Sequence, residues 1–220
     1  MDTTVLYYVH DPMCSWCWGY RPVLEQIRSE LTDKIIVIDI VGGLARDTDE
    51  PMSEEMQQQI QSHWKRIEQQ LGTEFNFNFW SECTPRRSTY PACRAVLAAA
   101  NQADILEMKL ANSRAMTLAI QQAYYLKAMN PSDNKVLLKL AKEIGLDVDQ
   151  FTKELVGEPL HQQLKDEIRF ARSIGGNSFP SWFLKTGESI QEIPIDYQSA
   201  EETLALINKS LMYIKARSNN

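Results

Sequence analysis

Val5-Leu6-Tyr7-Tyr8-Val9-His10-Asp11-Pro12-Met13-Cys14-Ser15-Trp16-Cys17-Trp18-Gly19 is the stretch from which the rest of the chain can be read. Val5 to Val9 is a continuous apolar run, the pattern of a strand buried on both faces. Two cysteines spaced CxxC follow, where the strand gives way to an amphipathic helix with Tyr20, Leu24, Ile27 and Leu31 on one face. On a helix, residues three apart lie about 60° from one another and about 5 Å apart between Cα atoms, within disulfide range. The bond can therefore open and close with little backbone movement. Cys14 falls at the helix start, where unpaired N–H groups and the macrodipole favour a thiolate, so it is the nucleophile. Cys17, one turn further in, is placed to resolve a mixed disulfide by attacking the Cys14 sulfur.

Other uses of a CxxC fit less well. A structural zinc site needs a second paired cluster of Cys or His. Here Cys83 and Cys93 are nine residues apart and His10, His63 and His161 are scattered, so we assign no metal. A purely structural disulfide across so short a loop would constrain the unfolded chain least.

Outward from this stretch, Ile35-Ile36-Val37-Ile38-Asp39-Ile40-Val41 reads as a second strand ending at Gly42-Gly43. Strand, helix, strand implies a right-handed parallel crossover. Pro22 removes a hydrogen bond inside the intervening helix and kinks it, separating the redox-active first turn from the packed remainder. Met52, Met56, Ile60, Trp64, Ile67 and Leu71 then recur at helical spacing as a core-facing stripe that stops at Gly72. Phe75, Phe77 and Phe79 alternate with Asn76 and Asn78, which predicts an extended segment whose aromatic face covers the core.

Further helices are expected from Ser88 or Thr89 to Ala100, with Pro91 in the first turn, and over 104–129, 132–144, 148–156 and 159–174. Ser132 and Pro159 supply start signals, and Asp147 with Gln150 resembles a capping box. Sheet signals return at Ser181-Trp182-Phe183-Leu184 and from Ser189 to Ile195, around a glycine-containing turn at Lys185-Thr186-Gly187-Glu188. Leu204, Ile207, Leu211 and Ile214 mark a closing amphipathic helix. The fold class is α/β in the order βαβ, helical insertion, ββα, with residues 1–43 and 175–220 forming one unit and 44–174 an all-helical insertion.

The composition sets bounds on function. The 220 residues are 44% hydrophobic and 24% charged, as in ordinary globular proteins. A net charge of -6 argues against nucleic-acid or anionic-membrane partners. No segment approaches the ~18 to 20 apolar residues of a membrane span, and Met1-Asp2-Thr3-Thr4 lacks the basic region of a secretory signal. Read as a complete chain, this one is expected in the cytoplasm, where a CxxC is more often catalytic than structural.

The order of elements, with CxxC at the first helix start, resembles a thioredoxin fold carrying a helical insertion. It is similar to the DsbA family, in particular the cytosolic branch that groups FrnE-like disulfide oxidoreductases with 2-hydroxychromene-2-carboxylate isomerases and kappa-class glutathione transferases. The resemblance covers nearly the whole chain. It rests on His10 to Gly19 at one end and on Gly175-Gly176-Asn177-Ser178-Phe179-Pro180-Ser181-Trp182 at the other. Arg114 to Asn130 and Asn134 to Gly145 also look like the family's insertion helices.

The resemblance implies that Pro180 is the cis proline packed against the CxxC, with Phe179 offering backbone groups to a substrate, and that Ser15 and Trp16 contact that substrate. Ser15-Trp16 stands where the periplasmic oxidase has Pro-His. The Cys14 pKa is accordingly expected below the free value of about 8.5 but less depressed than in that oxidase. In the isomerase and transferase relatives a serine usually takes the Cys14 position; both thiols here favour dithiol chemistry.

The leading expectation is a thiol:disulfide oxidoreductase acting through Cys14 and Cys17 on protein thiols or disulfides, with no resident cofactor and with glutathione as a candidate co-substrate. The alternative is a glutathione-dependent isomerase or transferase of an aromatic or polyketide-like molecule, with Tyr90, Trp64 and the Phe75 to Trp80 segment as candidate pocket walls. A third is a non-catalytic peptide-binding module using the same groove. Cys83 and Cys93 could pair, or Cys93 could face the active site; buried, unreactive thiols are the expectation. Oligomeric state is not legible.

Overall fold

The period-two pattern of the first strand decides which layer covers which face of the sheet. In the computed structural model, which describes residues 4–31 and 35–218 with side chains through 212, β1 (Thr4–His10) is central to a four-stranded sheet. It pairs parallel with β2 (Ile35–Val41), Val5 opposite Ile36, and antiparallel with β3 (Ser181–Thr186), Tyr8 opposite Trp182. β4 (Ser189–Ile193) completes the order β2-β1-β3-β4. Gly187, with φ +56°, makes the tight turn between β3 and β4. Glycine alone takes that backbone without strain.

Leu6 and Tyr8 face one side of the sheet with Trp182 and Leu184. That side is covered by Leu24 and Ile27 of α2 (Arg21–Glu30) and by Ile207 of α10 (Ala200–Ser218). The Ile214 side chain lies outside the described residues. The opposite face buries Val9, Ile40 and Phe183 against Ala171 of α9 (Glu158–Ser173). The helix after the CxxC is divided at Tyr20 into α1 (Ser15–Gly19) and α2, with Pro22 in the first turn of α2. Pro22 has no N–H to continue the α1 ladder, so the redox turn and the packed helix are separate elements.

Between β2 and β3 the chain is helical: α3 (Glu54–Leu71), α4 (Phe79–Glu82), α5 (Tyr90–Asn101), α6 (Leu106–Leu126), α7 (Asn134–Glu143), α8 (Val148–Leu155) and α9. Ser53 caps α3 by accepting from the Met56 N–H, and Gly72, at φ +69°, ends it. Trp64, 0% exposed, is the hub of this core. Its ring lies 5.1 Å from Phe75, 4.9 Å from Trp80 and 5.3 Å from Tyr125.

Three local expectations need correction. The Phe75 to Phe79 segment is not extended throughout: Asn76 accepts from the Asn78 N–H, turning the chain into α4, while Phe75 and Phe79 are buried. Side-chain capping by asparagine competes with strand geometry and wins here. At α8, Asp147 accepts from the Gln150 N–H, but the Gln150 amide bonds Glu154 and the Asp147 N–H goes to Gln102. Only half of the capping box forms. At α7 the N-cap is Asp133, and the Ser132 hydroxyl instead donates to the Ser88 carbonyl.

The helices are bolted to the sheet by buried polar contacts. Burial opposes charge on Asp39 of β2, yet the guanidiniums of Arg28 and Arg114 hold its carboxyl below the usual range. Arg114, on α6, also donates to the Val37 carbonyl at 2.8 Å. Glu167, half-buried on α9, accepts from the Val41 N–H at 2.8 Å, and burial of its carboxyl, aided by Asp39, raises its pKa from 4.5 to about 7. A raised folded pKa favours the protonated form. The stability it contributes is fully present below pH 4.5 and lost as pH rises through about 7. Glu167→Gln keeps the acceptor without the charge. It is expected to be more stable than the parent by about 1–3 kcal/mol at pH 8.5 and nearly equal to it at pH 5, after allowance for solvent screening. Urea unfolding at the two pH values checks this; the same difference at both would contradict it.

Candidate active site

The β1 to α1 loop is shaped by one buried carboxylate. Asp11, 0% exposed, accepts from the Met13 N–H at 2.8 Å, the Leu44 N–H at 2.7 Å, the Thr89 hydroxyl at 2.7 Å and the Cys93 thiol at 3.4 Å. Its backbone carbonyl accepts from the Cys14 N–H at 3.0 Å. The loop is thereby tied to the chain leaving β2 and to the start of α5. Burial raises the Asp11 pKa, and the four donors limit the rise.

Cys14 is the N-cap of α1, in extended geometry, and keeps 8% exposure; Cys17, inside the helix, keeps 1%. The structure holds both as free thiols. The two titrate in opposite directions. A hydrogen bond from Cys17 lowers the Cys14 pKa against the cost of burial, with help from backbone N–H groups of Cys17 and Trp16. Burial, then the bond to Cys14, pushes the Cys17 pKa well up. The arrangement makes Cys14 the more acidic of the two thiols and keeps Cys17, beneath it, protonated.

The second strand–loop junction closes the site. The Phe179–Pro180 peptide is cis, and the Cys14 thiol donates to the Phe179 carbonyl at 3.5 Å. Arg172 holds this loop in place: it donates to the Gly176 carbonyl and, at 3.2 Å, to the Gly42 carbonyl, and its guanidinium lies 5.2 Å over the Phe179 ring. Gly42 has to be glycine, since a Cβ there would sit 1.9 Å from that ring.

A cavity of about 400 Å³ opens beside Cys14. Cys14, Ser15, Trp16 and Phe179 line it, whereas Cys17 and Pro180 do not. Trp64 lies on its wall, but Tyr90 and the Phe75 to Trp80 segment do not; Phe75 and Phe79 are instead buried around Trp64. Trp16 packs edge-on against Tyr197 and under the Arg66 guanidinium at 5.1 Å. Asp11 and Arg172 escaped the sequence reading, although Asp11 stands inside the quoted stretch: a buried carboxylate is recognised only by donors that arrive from residues 44, 89 and 93. Cys93 is buried against Asp11, with its pKa raised well up by burial, and Cys83 donates to the Ala128 carbonyl at 3.0 Å. Neither thiol is activated.

Sheet order, crossover and the junction of two loops at Cys14 and Phe179 define a thioredoxin-fold protein with a DsbA-like helical insertion. The family described as Thioredoxin matches residues 7–202, and the chain belongs to it. Over 96% of its length the chain is similar to a candidate protein disulfide isomerase from Nitrosomonas europaea, with 28% identity, TM-score 0.82 and 99% of that chain covered. It is also similar to the cytosolic disulfide reductase DsbM from Pseudomonas aeruginosa, with 26% identity, TM-score 0.73, and 95% and 99% of the two chains covered. DsbM has been solved with glutathione as well. The ClpXP adapter protein SpxH of Bacillus subtilis is 25% identical over 171 residues, 76% of this chain and 53% of SpxH. The chain thus spans about half the length of the curated relatives it matches. Among the described residues no helix is long and apolar enough to cross a membrane.

Proposed function

We propose that the chain is a thiol:disulfide oxidoreductase that cycles a Cys14–Cys17 disulfide, with glutathione or another small thiol as the reductant and disulfide-bonded proteins or small disulfides as substrates. The observation that carries this reading is the opposed environment of the two sulfurs: one lining a cavity with its pKa lowered, the other sealed away from it with its pKa raised. In the reductive direction the Cys14 thiolate attacks a substrate disulfide and expels one substrate thiolate. Cys17, giving up its proton, then attacks the Cys14 sulfur and releases the second thiolate, leaving Cys14–Cys17 oxidised. Phe179 and Pro180 would orient the partner, and Ser15 and Trp16 would contact it at the cavity wall.

The resemblance to a cytosolic disulfide reductase, solved also with glutathione, supports this direction, and the cytoplasm as its compartment. Reduction of insulin disulfides by glutathione, coupled to a glutathione-recycling enzyme, tests the proposal. We expect the protein to accelerate reductant consumption in proportion to its concentration; a rate equal to that of glutathione alone would rule the proposal out. The cavity also suits the second reading, a glutathione-dependent isomerase of a small aromatic molecule. That reaction would need Cys14 but survive loss of Cys17.

A further inference from the structure

The cavity beside Cys14 carries a charge pattern that disulfide exchange alone does not require. None of its fifteen lining residues is acidic, while Arg87 and His63 are both among them, in a chain of net charge -6. Arg87 is half-buried and, among the described residues, has no carboxylate partner. Its neighbours differ. Arg86 is paired with Asp133, and Arg94 with Asp47 through two bonds of 2.8 Å, and those pairs line a separate cleft. Arg66, at the Trp16 edge of the cavity, also has no carboxylate partner among the described residues, and the charges of Arg66 and Arg87 both reach His63, adding to burial in lowering its pKa. Asp11, in the loop before Cys14, is fully buried and already accepts four hydrogen bonds. A half-buried guanidinium with a free planar fork is the group that matches a carboxylate, and it stays charged at every relevant pH.

We propose that Arg87 selects small thiols bearing a carboxylate as the partners that reduce the Cys14–Cys17 disulfide, by holding that carboxylate within the cavity that Cys14 lines. The inference rests on the exchange reaction proposed above. In the step it governs, the partner's thiolate attacks the Cys14 sulfur, the Cys14–Cys17 bond breaks, and Cys17 leaves as a thiolate and takes up a proton. A second partner thiolate then attacks the first partner's sulfur, releasing the Cys14 thiolate and one partner disulfide. Two thiols are oxidised for each protein disulfide reduced. A charged wall in a cleft raises the local concentration of the oppositely charged reactant before either step.

The test is the rate at which 3-mercaptopropionate, 2-mercaptoethanol and cysteamine reduce the oxidised full-length protein at low ionic strength. Each rate is divided by the same thiol's rate with an uncharged small disulfide, which removes intrinsic nucleophilicity. We expect the normalised rate of the anionic thiol to exceed that of the cationic one by roughly tenfold or more, the lower end of what focusing in a cleft provides. Arg87→Gln should bring the ratio to within about twofold of unity and Arg87→Lys should restore much of it, while 0.5 M salt should compress it in the parent. Equal normalised rates for the three thiols in the parent, or a ratio unchanged in Arg87→Gln, would overturn the assignment of Arg87 and leave the exchange reaction standing. Failure of all three thiols to reduce the protein would overturn the exchange reaction, and the selection with it.

Discussion

Replacing Cys14 by serine is expected to lower disulfide reduction by about three orders of magnitude or more, which corresponds to about 4 kcal/mol of lost transition-state stabilisation. A hydroxyl is not a thiolate at neutral pH, and the proposed reaction has no other nucleophile at the cavity: Cys17 is sealed, Cys93 is buried against Asp11, and Cys83 is bonded to the Ala128 carbonyl. Serine fills nearly the same volume at an N-cap position, so the unfolding temperature should move by only a few degrees. Cys17→Ser should fail differently. Its Cys14 still attacks, but no internal thiol expels the partner, so in the absence of excess free thiol a mixed disulfide accumulates one-to-one with protein and is visible by mass. Full reductase activity in Cys14→Ser, or no adduct in Cys17→Ser, would contradict the assigned division of roles.

The largest expected loss of stability is at Trp64. Its side chain is wholly buried among Phe75, Phe79, Trp80, Tyr124 and Tyr125, with ring separations of 4.9 to 6.0 Å. Trp64→Ala removes that surface and leaves a cavity, costing about 3–5 kcal/mol by the usual toll of aromatic deletions. The buried indole N–H has no hydrogen-bond partner among the described residues. Trp64→Phe therefore keeps most of the packing while relieving an unpaired donor, and should cost less than half as much. Val156→Ala, at an exposed site, is the control and should change stability by no more than about 0.5 kcal/mol. Because Trp64 also lines the cavity beside Cys14, a destabilised Trp64→Ala should lose activity together with fold. Urea unfolding measures all three, and a cost under about 1 kcal/mol for Trp64→Ala would show that the aromatic cluster is not the core of the insertion.

What the sequence made legible was local. Apolar runs bounded by Gly42-Gly43 and Gly187 gave the strands, and the 3.6-residue stripe from Met52 to Leu71 gave the long helix that bears Trp64. The CxxC was visible because its chemistry is encoded in a spacing of three. The failures were also local, but of another kind: Asn76 and Ser132 put their side chains to uses that periodicity does not register, one turning the chain and the other bonding Ser88. Contacts across long separations were out of reach. Asp11 acquires its meaning from Leu44, Thr89 and Cys93, and Arg172 from Gly42 and Phe179, so the supports of the site appear only once the chain is folded. The cis geometry at Pro180 was available only through family resemblance. That Arg87 has no carboxylate partner among the described residues depends on which of several neighbouring arginines finds an acid, and the sequence does not say which.

The most direct measurement is a redox titration of the full-length protein in glutathione buffers spanning reduced to oxidised, quenched by thiol alkylation and mapped by mass spectrometry. The account predicts a single two-electron transition in which Cys14 and Cys17 lose two hydrogens together and become one crosslink, while Cys83 and Cys93 stay alkylatable once the protein is unfolded. Persistence of the Cys14 and Cys17 thiols at every ratio, or a Cys83–Cys93 crosslink in their place, would contradict it.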